Sequence, residues 1–186
     1  MANFTANEIK KTFVKLLNTK PYNKITVKDI VEECGINRNS FYYHFADIPT
    51  LVGTIFVDEN TRIMNNHPTI DSLHEFIDEI TSTCLKNRQA ILNLFNSSNR
   101  ALYEDYGMRI CVDAVTKYFN QAFNDYEVDQ DEHYLAIQVG KCTLFGICID
   151  WANKGLDEEA VAEMHATCDL LHGIPNLIFE RMRIKK

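Results

Sequence analysis

The segment Thr26 to Phe45, "TVKDIVEECGINRNSFYYHF", constrains this chain more than any other. It opens with a threonine able to cap a helix, and Asp29 follows three residues on, where an acid favours the helix start. Val27, Ile30 and Val31 give this helix one apolar side. Cys34 and Gly35 end it, since glycine takes the positive φ of a helix terminus without strain. Asn37 can then cap a second helix of about two turns, Arg38 to Phe45. Two short helices joined at a glycine corner have few ways to pack. Val27, Ile30, Val31, Ile36 and Phe41 must lock them together, in the helix-turn-helix arrangement.

That lock decides what the aromatic run Phe41–Phe45 is for. Phe41 and Phe45 are four apart and belong to the core, whereas Arg38, Asn39, Tyr42 and Tyr43 point outward. Tyrosine offers a flat face for sugar and a hydroxyl for a phosphate oxygen. Arginine bonds guanine in a two-pronged way, and asparagine does the same with adenine. Thr26 and the amides at the start of its helix can hold a further phosphate. Such a surface suits a duplex reader; the other reading on spacing alone is a small helical pair in an ordinary core, since helix-turn-helix shapes are common outside DNA binding.

The residues "ITVKDIVEECGINRNSFYYHF", with the "D-x-P-x-L" that follows, resemble the DNA-binding segment of the TetR/AcrR family of bacterial transcription regulators. The family's pattern falls on Thr26, Val31, Gly35, Ile36, Ser40, Tyr42, His44 and Phe45. The likeness covers about the first quarter of the chain. Later, "GICIDWANKGLDEE" looks like the late-helix region of some members. The resemblance implies a homodimer whose heads grip double-stranded DNA, with Thr26, Lys28, Asn37, Arg38, Asn39, Ser40, Tyr42, Tyr43 and His44 at the contact. Of the contact residues, Lys28 and Asn37 are candidates from their places beside and at the start of these helices and not from matched positions. The resemblance also implies a body that binds a small-molecule effector and changes the separation of the heads, with repression the expected direction. One position departs from the pattern. Many members carry a phosphate-binding lysine where this chain has Ile48, which leaves Lys24 and Lys28 to supply that contact.

The remainder reads as helices. In 186 residues there are only 7 Gly and 4 Pro, too few for a sandwich of short strands. The first helix is expected from about Thr5 or Asn7, with Ile9, Phe13, Leu16 and Leu17 on one stripe, broken at "NTKPYNK". A fourth, capped by Asp47, should run to near Pro68. Further helical stretches follow in "IDSLHEFIDEITSTCLKNR", "RQAILNLFN", "GMRICVDAVTKYFNQAFNDY", "DEHYLAIQVGKCTLFGICIDWANKG", "LDEEAVAEMHATCDLLHG" and "PNLIFERMRIKK". The expectation is an all-α protein of about nine helices: a three-helix head with a helix-turn-helix at 1–48, and a larger helical body for ligand binding and dimerisation at 49–186.

Charge sets the partner class. The chain carries a formal net charge of −7, yet residues 1–50 hold seven basic and five acidic side chains. A mildly positive head on a negative body expects an anionic partner only at the head. The charged start, with no run of about 18 apolar residues, points to a cytoplasmic protein with no membrane partner.

In the body, "CTLFGICI" is apolar all round and suits a helix buried on more than one side. Cys142, Phe145, Gly146 and Ile149, with Met164, Cys168 and Leu171, are the expected dimer seam, the other reading being the central helix of a monomer. Phe76, Phe95, Tyr103, Tyr106, Tyr118, Phe119, Phe123 and Trp151 are candidate pocket walls, although such residues usually form plain core. His165, Cys168 and His172 share a helix face, but the usual second ligand cluster of a metal site is missing, so no metal and no cofactor are expected. The six cysteines read as buried reduced thiols. No phosphate loop, zinc-protease motif or serine elbow suggests an enzyme. The alternative is a regulator or coactivator of the same fold governed by a protein partner and not a small ligand.

Overall fold

The computed structural model describes residues 2–66, 73–122 and 129–171. Among them are nine α-helices and no strand, so the fold is all-α: α1 (Ala2–Leu17), α2 (Val27–Cys34), α3 (Arg38–His44), α4 (Ile48–Asn66), α5 (Leu73–Lys86), α6 (Arg88–Phe95), α7 (Arg100–Ala122), α8 (Gln130–Asn153) and α9 (Glu159–Leu171). Two starts fall earlier than the sequence suggests. α1 begins at Ala2, because nothing in its first turn breaks a helix. α7 begins at Arg100 and runs through Gly107, whose cost of about 1 kcal/mol a long helix tolerates. The expected terminal piece "PNLIFERMRIKK" lies outside the described residues.

The chain divides into two compact units. The first takes residues up to Thr61 together with Cys84–Tyr106; the second takes Arg62–Thr83 and Gly107 onward. α4 and α7 each begin in the first and end in the second.

The first unit is built on the stripe that α1 presents. Ile9, Phe13 and Leu17 are buried with Ile30 of α2, Phe41 of α3 and Leu51 of α4, all at 2% exposure or less. Each such side chain contributes about 1.5–3 kcal/mol of burial. α6 packs on α1 through amides rather than hydrocarbon alone. The Asn93 side chain donates to the carbonyl of Leu17, the last residue of α1, at 2.8 Å and to that of Lys20 in the turn that follows at 3.0 Å. Asn18 Oδ1 accepts from the Ala90 amide at 3.1 Å, one of the open donors at the start of α6. Each helix thus caps an end of the other. A single turn at Tyr22–Lys24 leads into α2, and the Tyr22 hydroxyl accepts from Asn99 at 3.1 Å.

In the second unit α7 and α8 run antiparallel, with Phe119 against Ala136 and Val115 against Gly140. Gly140 is there for closeness: a Cβ on it would lie 2.8 Å from a Val115 methyl. Ile63, Phe76 and Ala114 form a second cluster with Leu144 packed on it. α8 ends through Gly155 at φ 80° and Leu156 at φ 56°. Leu156 is buried, and the Trp151 indole donates to the Asp157 carbonyl at 2.8 Å, which pins the turn. Among the described residues α8 has the length and composition of a membrane span, although most of it is not buried.

Asn93→Ala should lower the stability of the full chain by about 1–3 kcal/mol, because two part-buried carbonyls lose their donor. Asn93→Asp should cost more, since a carboxylate would face those carbonyls. Urea unfolding measures both; equal stability of the three proteins would contradict the clasp.

Candidate nucleic-acid interface

The turn between α2 and α3 is fixed at three points. At the start of α2 the Thr26 amide and hydroxyl donate to Asp29 Oδ2 at 2.8 and 2.6 Å, and the Asp29 amide donates to Thr26 Oγ1 at 3.2 Å. This reciprocal box closes the helix end. At the corner Gly35 sits at φ 70°, and an added Cβ would meet nothing within 4 Å. The need for glycine is therefore conformational and not steric. At the start of α3 Asn37 Oδ1 accepts from the Ser40 amide at 2.8 Å and the Ser40 hydroxyl at 3.1 Å.

With both ends fixed, the faces of α3 separate as its spacing requires. Phe41 and Phe45 are 0% and 4% exposed, while Tyr42 and Tyr43 are 46% and 79% exposed. Arg38 and Asn39 are exposed beside them. Arg38 Nη2 donates to the Tyr42 hydroxyl at 3.2 Å, and its guanidinium lies 5.6 Å from the centre of the same ring. A flexible cation is thereby held against a rigid ring before any partner arrives, which reduces the ordering cost of binding. His44 is half-buried, with its ring edge-on to Tyr43 at 5.0 Å.

The electrostatics are narrower than the sequence count implies. Lys10, Lys11, Lys15 and Lys20 each pair with an acid: Asp58, Glu8, Glu33 and Asp29. Lys28 is exposed and only loosely paired, 3.7 Å from Glu32. Lys24 is exposed. Positive charge is thus concentrated at Arg38, Lys24 and Lys28. Thr26 proves less available than its position suggests, since its donors are committed to Asp29. The Thr26 hydroxyl first, then Lys20, hold the Asp29 carboxyl far below the usual range. An acid charge therefore stands at the helix end where a phosphate would approach. Lys15 lowers Glu33, and the Thr50 hydroxyl and amide lower Asp47 at the start of α4. Ile48 is half-buried against the first unit's core, so this position serves packing where a lysine would serve phosphate. Next to it a groove of about 420 Å³ runs past Tyr42, Tyr22, Asp47 and Asn99.

Of the remaining sequence candidates, Phe95 and Tyr103 lie in the first unit and Phe76, Tyr118, Phe119 and Trp151 in the second. Tyr103 is core, edge-on to Tyr22 and stacked on Phe56, and burial raises its phenol above the ordinary range. Phe95 lies beneath the Arg100 guanidinium. Phe76 belongs to one cluster and Phe119 and Tyr118 to another, so packing rather than a shared cavity gathers them. Trp151 lines a groove of about 350 Å³ along α8 and α9 with Cys142, Gly146, Lys154, Glu163 and Met164. Cys142 and Gly146 are exposed, Phe145 and Ile149 half-buried, and Met164 buried within its own chain. The side chains of Cys168 and Leu171, together with Phe123 and His172, lie outside the described residues. His165 contacts Asp78 at 2.9 Å, and no cluster of three metal-ligating groups occurs among the described residues.

Residues 11–53 match the family model described as bacterial regulatory proteins, tetR family, and residues 71–173 match the model described as transcriptional regulator C-terminal region. Among solved structures, the chain is similar to "Dihydroxyacetone kinase operon activator DhaS", with a TM-score of 0.64 and 19% identity over 96% of each chain. No curated protein matches.

Stability of the first unit should fall in acid. Asp29, Glu33 and Asp47 have folded-state values below their ordinary ones, so the unfolded chain takes up protons first. Their contribution is complete above the ordinary carboxylate range, near pH 4, and is lost progressively as pH falls from there through the lowered folded-state values. Melting temperatures should show wild type and Asp29→Asn converging between about pH 7 and pH 3. A gap that widens in acid would contradict the box.

Proposed function

Because the chain belongs to the TetR family of bacterial transcription regulators, we propose that the exposed face of α3 reads operator DNA in the major groove of a duplex. The protein is a DNA-binding transcriptional regulator and not an enzyme. The observation that carries the reading is the separation of faces on α3, with Arg38, Asn39, Tyr42 and Tyr43 out and Phe41 and Phe45 in. Arg38 is assigned the base edge; Tyr42, Tyr43, Lys24 and Lys28 are assigned sugar and phosphate. Thr26, Asn37 and Ser40 are assigned to helix starts that aim those side chains, with Thr26 also next to the backbone. DNA reading belongs to 1–48 in this account, and self-association and effector binding to the residues beyond.

Self-association is supported by the surface of α8. Leu135, Val139, Cys142 and Gly146 recur at helical spacing and are exposed, with Val139 at 60%. A stripe of this kind suits a second copy, and two heads then meet half-sites about 34–36 Å apart or a multiple of that. A small molecule bound to the body would weaken operator binding by preferring the state in which the heads are misaligned. Repression relieved by such an effector, in the cytoplasm where the operator lies, is the reading we adopt. Activation is the second reading, since the structural neighbour is titled an operon activator.

Two variants test the interface. On a duplex selected from a random pool, Arg38→Ala should cost about 1–3 kcal/mol while scarcely changing affinity for a scrambled duplex. Tyr42→Phe should weaken both duplexes by similar factors. Equal losses on both duplexes for both variants would refute the assignment. For the seam, Val139→Glu should shift the protein to monomer in sedimentation at micromolar concentration and weaken operator binding. A wild type that sediments only as monomer would overturn the dimer.

A further inference from the structure

Two cysteines face each other inside the second unit. Cys111 lies on α7 and Cys148 on α8, each thiol close enough to perturb the titration of the other. The helix register independently brings them together. Phe119 packs on Ala136, Val115 and Phe119 both abut Gly140, and Leu144 packs on the cluster that holds Ala114, so the next inward position back along α7 faces the next inward position along α8. Cys111 is buried at 5% exposure, and Cys148 is partly exposed. The DNA-reading account uses neither.

We propose that Cys111 and Cys148 form a dithiol modification site that a hydroperoxide oxidises to a disulfide between α7 and α8, with Cys148 as the attacking sulfur and Cys111 as the resolving one. The roles follow from the geometry of the pair. Cys148 is the less buried residue of the two. A hydrogen bond from the Cys111 thiol favours the Cys148 thiolate and burial opposes it, with the balance toward a lowered pKa. Cys111 correspondingly holds its proton, through donation to Cys148 and through its own burial.

The Cys148 thiolate attacks one peroxide oxygen and the O–O bond breaks. The sulfur becomes a sulfenic acid, and the other oxygen leaves as an alcohol, or as water from hydrogen peroxide, after taking a proton. Cys111 sulfur then attacks the sulfenic sulfur. The S–S bond forms, and the hydroxyl leaves as water with the proton that Cys111 gives up. Two thiols lose two electrons in all, and one peroxide gains them.

The full chain carrying Cys142→Ser is the protein to use, since Cys142 shares a tryptic peptide with Cys148. After hydrogen peroxide treatment, remaining thiols are alkylated and the protein is digested without reduction. The expected product is peptide 110–117 linked to peptide 142–154, released by dithiothreitol. In that background Cys111→Ser should leave a sulfenic acid on Cys148 that dimedone traps, whereas Cys148→Ser should leave Cys111 alkylatable. Melting curves confirm that both variants fold. The proposal is overturned if Cys111 and Cys148 stay alkylatable while other cysteines oxidise. It is also overturned if either links instead to Cys34, Cys84 or Cys168, or if dimedone labels Cys111 in preference to Cys148.

Discussion

The corner at Gly35 governs everything the head can do. One residue at φ 70° turns the chain from α2 into α3, and two capped helix starts, Thr26 with Asp29 and Asn37 with Ser40, leave the joint no slack. Rotating α3 by one residue would expose Phe41 and bury Tyr42. The apolar lock of Ile30, Val31, Phe41 and Phe45 opposes that rotation with several buried side chains, each contributing about 1.5–3 kcal/mol. The hydrocarbon that sets the register of α3 also determines which of its side chains face outward.

An acidic protein that binds a polyanion must restrict where its positive charge acts. Most lysines of the head are matched locally: Lys10, Lys11, Lys15 and Lys20 sit in ion pairs, and Asp29 guards the start of α2. What remains is Arg38 propped on Tyr42, with Lys24 and Lys28 near the other helix. A binder of this kind has little non-specific attraction to draw on. In the proposed reading its discrimination rests on a few oriented groups, and Ile48 packs on the core.

Legibility in the sequence followed the range of the interactions. The helix-turn-helix could be read because its determinants are local: a cap, a glycine, and an apolar stripe within twenty residues. The outward tyrosines followed from helical spacing once Phe41 was assigned inward. Pairs such as Lys15–Glu33 and Lys10–Asp58 join residues far apart in the chain, so a count of charges overstated the free positive charge of the head. The exchange of caps between α1 and α6 was invisible for the same reason, since Asn18 and Asn93 carry no pattern that announces a partner some seventy residues away. In the body, aromatic residues at helical spacing could not be sorted into core and pocket by sequence. Tyr103, Phe76 and Phe119 each settle into a different packed cluster. Cys111 and Cys148 looked like ordinary buried thiols until the antiparallel register of α7 and α8 placed them together.

The central claim is that a rigid corner presents the same few side chains twice along one duplex. Selection of bound sequences from a random duplex pool, at one stated salt concentration, tests it most directly. The account predicts enrichment of two inverted half-sites whose centres lie one helical turn or a whole multiple apart. A pool that stays random, or one that yields a single half-site without a mate, would contradict it.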